Sequence, residues 1–180
     1  MPKPAPLTAK HYNLTALLGD LGLLPFILLA GLMTYGHFTG PGVHTTVLFS
    51  LAADNGFIAY SAVILSFLSG ALWERSRLAE IDGRAGLTGL TQAMLLLSNL
   101  VTLGAWVCLL LIQGGPIMRV YAMGLLVLGF LTLLWVERQT GGLYAQRDAK
   151  GTGYWSMRLR ITTSVVLLHA LVAALMLAEL

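Results

Sequence analysis

Five polar residues interrupt otherwise apolar stretches of this chain, where a polar side chain is costly unless it has a partner or a task. They are Asp20, Gln92, Asn99, Thr102 and His169. A carboxylate or imidazole in such surroundings can take up and release protons, and nearby amides and hydroxyls can line a path or cavity. We treat these five residues as a candidate intramembrane polar site.

Three of the five belong to one region with a regular spacing. Gln92, Asn99, Trp106 and Gln113 are seven residues apart, which places them near one face of a helix, with Thr102 beside them. We call these four residues the polar stripe. Such a stripe is typical of hydrogen bonds between membrane helices or of a cavity for a substrate or quinone. The sequence leaves both interpretations open.

The two ionisable residues also have alternative roles. Asp20 is either an interfacial carboxylate paired with a basic residue or a proton or cation site. His169 is either a neutral histidine bonded to Asn99 or a hydroxyl, or a functional residue of a polar cavity. The cavity hypothesis predicts that the third and fifth apolar segments face each other.

Metal, haem and thiol chemistry have little support. His37 and His44 flank a Gly-Pro-Gly turn and could meet Asp54, but two histidines seven residues apart are a weak metal signal. A haem held by two histidines would need a partner for His169 at similar depth. Cys108 is the single cysteine, so an intramolecular disulfide is excluded. We expect no metal, no cofactor and no catalytic residue, and hence not an enzyme.

The elements that position these residues are five apolar runs, at about 14–35, 56–73, 89–112, 117–135 and 159–177. A helix rises 1.5 Å per residue, so each run is long enough to cross a hydrocarbon core of about 30 Å. Mean hydropathy is +0.78 and 11% of residues are charged, both outside the usual range of soluble domains. We expect an all-α bundle of five transmembrane helices, forming a single domain over residues 1–180.

Charge predicts the orientation and the location. Ten of the eleven Lys and Arg residues lie on one side of the five spans, and Arg119 alone lies on the other. By the positive-inside rule the N-terminus is cytoplasmic and the C-terminus periplasmic, in a bacterial inner membrane. The net charge of +3 then reflects contact with membrane lipids rather than with nucleic acid.

The second span carries small residues at steps of three and four, which allow close approach of helix backbones. We expect this packing face to make the second helix central to the bundle. Its members are Ala59, Ala62, Ser66, Ser69, Gly70 and Trp73.

Two further expectations concern the ends of the spans. Glu74, Arg158 and Arg160 are candidate members of interfacial ion pairs, with the two arginines pairing with Asp20, Glu74 or Glu137. The apolar stretch 45–53 is too short to span and is expected to form an interfacial or re-entrant helix.

Three segments resemble a family of small five-helix proteins of bacterial inner membranes, with mitochondrial relatives, catalogued as a domain of unknown function. The segments are 21–26 (LGLLPF), 60–73 (YSAVILSFLSGALW), and Tyr154-Trp155 with Leu159-Arg160. The family pattern continues with His-Trp-Gly where this chain has Leu72-Trp73-Glu74. The resemblance implies a fold and a compartment but no activity.

The leading functional expectation is a non-catalytic protein that works by association with other integral membrane subunits. It would be an accessory subunit or assembly factor of a larger respiratory or photosynthetic complex. The first alternative is a small transporter or a lipid- or quinone-binding protein with a polar intramembrane cavity. A haem-binding or enzymatic membrane protein is the third possibility.

Overall fold

The computed structural model describes residues 17–81, 88–148 and 154–180. It contains five long helices and one small hairpin: α1 Leu24–Thr39, β1 Val47–Leu48, β2 Leu51–Ala52, α2 Ala53–Ile81, α3 Thr88–Leu111, α4 Pro116–Asp148 and α5 Tyr154–Ala178. A 3-10 turn, Ile112–Gly114, extends α3. The all-helical prediction is confirmed, and five helices in the described ranges are long and apolar enough to cross a membrane.

The observed apolar helices are longer than most of the predicted spans. They are Leu17–Thr39, Ala53–Leu78, Thr91–Gly114, Pro116–Gln139 and Trp155–Ala178. Residues 14–16, with which the first predicted span begins, lie outside the described part of the chain, as do Lys3, Lys10, Arg84 and Lys150.

The first span is interrupted just before Pro25, whose missing N–H favours a kink or break at this point. A helical stretch at 17–21 ends in a turn, and α1 begins at Leu24 with Pro25 in its first turn. The hydroxyl of Tyr60 on α2 donates to the carbonyl of Gly22 in that turn, at 3.0 Å. The interruption of one helix is therefore used to attach it to the next.

In the described part of the chain, α2 packs against α1, α3 and α4, and α4 packs against α2, α3 and α5, so the predicted central position of α2 is shared with α4. The helix α3 lies against α2 and α4, whereas α5 lies against α1 and α4. The third and fifth helices are not principal neighbours, so the arrangement that the cavity hypothesis predicts is not found.

The buried face of α2 overlaps only partly with the predicted packing face. Ala62 and Ser69 are buried and Ala59 and Ser66 are half-buried, but Gly70 and Trp73 are exposed. The buried face also includes large side chains, which the small-residue criterion misses, among them Phe57, Leu65 and Leu72.

Segment 45–53 forms a β-hairpin, so the predicted interfacial or re-entrant helix is wrong. Strand β1 pairs with β2 in antiparallel fashion, and the turn residues Phe49 and Ser50 both have positive φ, at 51° and 66°. Two successive left-handed residues are typical of a tight hairpin turn. The segment opens with the β-branched run Thr45-Thr46-Val47, which favours a strand over a helix.

The outer surface of the bundle is largely apolar. Many large hydrophobic side chains are exposed along the helices, including Val63, Phe67, Leu128 and Leu167. A bundle dissolved in lipid shows this property, because hydrocarbon tails solvate apolar side chains as well as a protein core does.

Candidate functional site

His169 lies at the meeting point of four helices and is fully buried. Its ring packs against three phenyl rings, with centroid distances of 4.8 Å to Phe57, 5.7 Å to Phe130 and 5.8 Å to Phe26. These rings come from α2, α4 and α1, while His169 itself is on α5. The three phenyl groups are themselves buried, so they enclose the imidazole on several sides.

The hydrogen bonding of His169 differs from the expectation. Its Nδ1 donates to the carbonyl of Val165, one turn earlier on α5, at 2.8 Å, rather than bonding to Asn99 or a hydroxyl. In the neutral ring the lone pair is then on Nε2. That atom is buried and has no hydrogen-bond partner among the described residues. The site therefore presents an unpartnered hydrogen-bond acceptor in an aromatic enclosure.

The polar stripe points away from the bundle. Gln92, Asn99, Trp106 and Gln113 are all exposed, and the amide of Asn99 donates to the carbonyl of Leu95 on its own helix at 2.8 Å. Asn99 thus lies on the outer surface of the bundle, whereas His169 is enclosed, and the two do not form a common cavity.

Thr102 is the one member of the predicted polar site on α3 that bonds to another helix. Its hydroxyl lies 2.6 Å from that of Ser69 on α2, and it also donates to the carbonyl of Ser98 at 3.0 Å. This contact joins α2 to α3 and leaves the outward amides of the stripe uninvolved.

Asp20 belongs to a group of ion pairs at one end of the bundle, which we call the Glu137 end. Arg160 donates to Asp20 at 2.5 Å in an exposed pair, while Arg158 donates to Glu137 at 2.6 Å in a largely buried one. Both arginines therefore bind carboxylates that the sequence offered as partners.

Glu74, the third carboxylate named for these pairs, has a different partner. It accepts two hydrogen bonds from Arg77 on the same helix, at 3.0 and 3.1 Å, rather than from α5. The contact is local because residues three apart on a helix are neighbours.

The opposite end of the bundle, which we call the His37 end, holds a network centred on Asp54. This carboxylate is fully buried in the first turn of α2. It accepts from Arg119 of α4 at 2.6 Å, from Nδ1 of His44 at 2.8 Å and from the backbone N–H of Asn55 at 2.7 Å. Arg119 also donates to the carbonyl of Ile112 at 3.3 Å. This network therefore joins α2, the loop between α1 and β1 that contains His44, and the α3–α4 connection.

A second carboxylate at the same end fastens α5 to α1 and the loop. Glu179 accepts from Nδ1 of His37 at 2.8 Å and from the amide of Val43 at 2.9 and 2.8 Å. Partial burial of Glu179 raises its pKa, but the bonds from His37 and Val43, together with the charges of His37 and His44, outweigh it, so the pKa lies below the ordinary value. A Cβ at Gly42 would approach this carboxylate at 3.1 Å, and Gly42 also has a φ of +86°.

His37 and His44 therefore bind two different carboxylates. Asp54 does contact His44, as the metal hypothesis requires, but His37 is paired with Glu179. Within the described ranges no group of three or more His, Cys, Asp or Glu residues is placed to hold a metal ion. The His44–Asp54 contact fastens the loop between α1 and β1 to α2, and the His37–Glu179 contact fastens α1 to the residue that follows α5.

Sequence reasoning missed the Asp54–Arg119 pair and the role of Glu179. A signal for the first was present, because Asp54 and Arg119 both lie at span ends on the same side of the predicted topology. A buried charge there requires an opposite charge nearby. For Glu179 the chain offered little, since its partners include a backbone amide in an irregular loop.

Comparison with known proteins gives one result. No curated protein and no solved structure matches the chain. A family described as "Protein of unknown function (DUF3429)" matches residues 13–174, which is most of the chain. The resemblance inferred from the three sequence segments is thereby confirmed, and the chain belongs to this family.

Proposed function

We propose that the protein is a non-catalytic integral protein of the bacterial inner membrane that acts by association with other membrane subunits. It serves as an accessory subunit or assembly factor of a larger membrane complex, of the respiratory or photosynthetic kind. The observation that carries this proposal is the outward direction of the polar stripe on α3.

The cost of polar groups in hydrocarbon supports the proposal. Asn99 lies about four residues, or roughly 5 Å, from the middle of the apolar helix Thr91–Gly114. Its bond to Leu95 uses one amide hydrogen, and the side chain also has a second hydrogen and an oxygen acceptor. Lipid tails cannot satisfy these groups, whereas a polar group on a partner helix can.

The distribution of charge supports the membrane orientation. Arg75, Arg77, Arg158 and Arg160 lie at the Glu137 end, and Arg119 lies at the His37 end. The positive-inside rule then makes the Glu137 end cytoplasmic and the His37 end periplasmic.

A second candidate function has one observation in its favour. The unpartnered Nε2 of His169 would suit a hydrogen-bond donor such as the hydroxyl of a lipid or of a reduced quinone, which is the kind of ligand that the cavity hypothesis names. Against it, the polar groups of Asn99 and Gln92 are outside the bundle, and three phenyl rings occupy the space beside the imidazole. We therefore rank association first.

Purification in native nanodiscs, followed by mass spectrometry of everything that co-purifies, tests the two candidates. Association predicts stoichiometric membrane partners that Asn99→Leu depletes and that His169→Leu retains. The second variant is a matched control, because it removes the enclosed polar group and leaves the outer surface unchanged.

The opposite pattern would overturn the proposal. If the protein purifies without other subunits, and if His169→Leu rather than Asn99→Leu abolishes function at normal membrane abundance, the small-molecule function replaces it. A bound lipid or quinone in the same preparation would identify the ligand class.

A further inference from the structure

The helix α3 carries two separate heptad patterns. Its buried residues alternate at steps of four and three and pack inside the bundle: Met94, Ser98, Val101, Ala105, Cys108 and Ile112. The polar stripe alternates in the same way with three exposed leucines, Leu96, Leu103 and Leu110. We call the polar stripe together with these leucines the outer seam.

The two patterns lie on roughly opposite sides of the helix. At 100° per residue their centres are about 150° apart. The buried pattern is covered by α2 and α4, which pack against α3. The outer seam is exposed along its length, and Gln113, its last member, lies in the 3-10 turn that extends the helix.

A sustained heptad pattern has a specific geometric meaning. A straight helix drifts by about 20° per heptad, so a seven-residue repeat keeps one line of contact only when two helices wind around each other with a left-handed supercoil. Most membrane bundles have this crossing geometry. Over residues 92–113 the outer seam therefore fits one long helix lying alongside α3.

Two side chains of the seam show that its present surroundings are incomplete. Asn99 presents amide groups that its own helix does not satisfy. Trp106 is 56% exposed and lies roughly 5 Å from the middle of the span, away from the interfaces where Trp is usual.

The chemistry of the seam identifies the partner. Two copies inserted in the same orientation are related by a twofold axis along the membrane normal, so each residue meets its own copy at the same depth. A carboxamide is both donor and acceptor, so Asn99 can form two reciprocal N–H···O bonds with the partner's Asn99. The sequence of α3 contains no charged residue that would repel itself in this arrangement.

We infer that the outer seam binds a second copy of this chain, forming a parallel dimer through α3. The inference rests on the proposed function, because it assigns the partner of the same outward surface. The dimer would be the unit through which other subunits are contacted.

Disulfide cross-linking in native membranes tests the inference. In a Cys108→Ala background, Leu103→Cys places a thiol on the seam at the middle of α3, where Leu103 is 57% exposed. The matched control is Leu128→Cys, which is 62% exposed and lies at the middle of Pro116–Gln139, the apolar part of α4. A copper–phenanthroline oxidant should convert the first variant to a covalent dimer and leave the second as a monomer.

Two further substitutions in the Leu103→Cys background sharpen the result. Asn99→Leu removes the amide and should abolish most of the cross-link, while Asn99→Gln keeps the amide and should retain it. Both variants are compared at equal membrane abundance, so that a folding defect is recognised.

The outcomes separate this inference from the proposed function. A cross-link from Leu103→Cys to a different protein overturns the self-association and supports association with other subunits. A covalent dimer without any co-purifying subunit supports the inference and rejects the accessory function. If no cross-link forms and no subunit co-purifies, both are rejected.

Discussion

His169 and Asn99 are both polar and both lie near the middle of a long apolar helix, but the bundle treats them in opposite ways. His169 is enclosed by phenyl rings from three other helices, whereas Asn99 faces outward and bonds only to its own helix. The enclosed group depends on this chain for its surroundings. The remaining polar groups of Asn99 need a partner outside the bundle, and this difference locates the surface where we expect association.

The comparison extends to the ion pairs, where enclosure should produce the largest effect on stability. Asp54 is fully buried and binds Arg119, while Asp20 and Arg160 form an exposed pair. Asp54→Asn leaves Arg119 without its counter-charge and should reduce the free energy of unfolding by about 3 kcal/mol. The matched substitution Asp20→Asn should cost less than about 1 kcal/mol.

Steric trapping in bicelles measures both free energies of unfolding under the same conditions. Equal effects of Asp54→Asn and Asp20→Asn would contradict the distinction between enclosed and exposed pairs. A small effect of Asp54→Asn alone would mean that water reaches the His37 end and stabilises Arg119.

Phe57→Ala tests the enclosure of His169 itself. Lipid tails are as apolar as the core, so the transfer term is largely absent and the cavity term remains. At roughly 24 cal/mol per Å³ and a lost volume of about 100 Å³, the free energy of unfolding should fall by about 2 kcal/mol. Phe67→Ala, at an exposed position on the same helix, is the control and should have little effect.

His169→Leu should have a smaller effect of the opposite sign. The variant removes a buried nitrogen that has no hydrogen-bond partner among the described residues and keeps a similar side-chain volume. We expect the free energy of unfolding to rise by up to about 1 kcal/mol. Loss of the hydrogen bond to Val165 reduces this gain. Lower stability together with lost function would show that the Nε2 atom has a partner in the membrane.

Several of these arrangements could be anticipated from the sequence. Runs of apolar residues predict the five helices because every backbone group in lipid must be bonded within its own segment. Opposite charges at the same depth predict that Arg158 and Arg160 pair with Asp20, Glu74 or Glu137, and the choice of Glu137 and Asp20 required the structure. Pro25, which lacks an N–H, predicts a kink in the first span, and the structure has a two-residue turn just before it.

The faces of the helices could not be predicted in the same way. In water the polar side of a helix faces out, but in lipid a polar stripe is compatible with either direction. The direction of Asn99 was decided by the opposite side of α3, where small residues such as Ser98 and Ala105 allow close packing. The partners of His169 also required knowing which helices are neighbours.

Glu179 allows a test of the His37 end by pH. Its pKa is lowered in the folded protein, so the carboxylate stabilises the fold above the ordinary Glu pKa of about 4.3. That contribution is lost as the pH falls from this value through the lowered pKa of the folded state. Wild type should therefore lose stability below about pH 4.3 more steeply than Glu179→Gln. Parallel pH profiles of unfolding would show that the bonds to His37 and Val43 do not form.

Asn99→Leu should have the smallest effect on the protomer and the clearest effect on its assembly. The substitution removes one bond within α3 and no contact with another helix, so the free energy of unfolding of the isolated protomer should change by less than about 0.5 kcal/mol. Association should fall because the partner loses its polar contact. Ser69→Ala is the matched control, since it removes the 2.6 Å contact with Thr102 inside the bundle. That variant should lower protomer stability by roughly 0.6 kcal/mol and leave association unchanged. If Asn99→Leu instead destabilises the protomer more than Ser69→Ala does, Asn99 belongs to the packed interior and the outer seam loses its main polar contact.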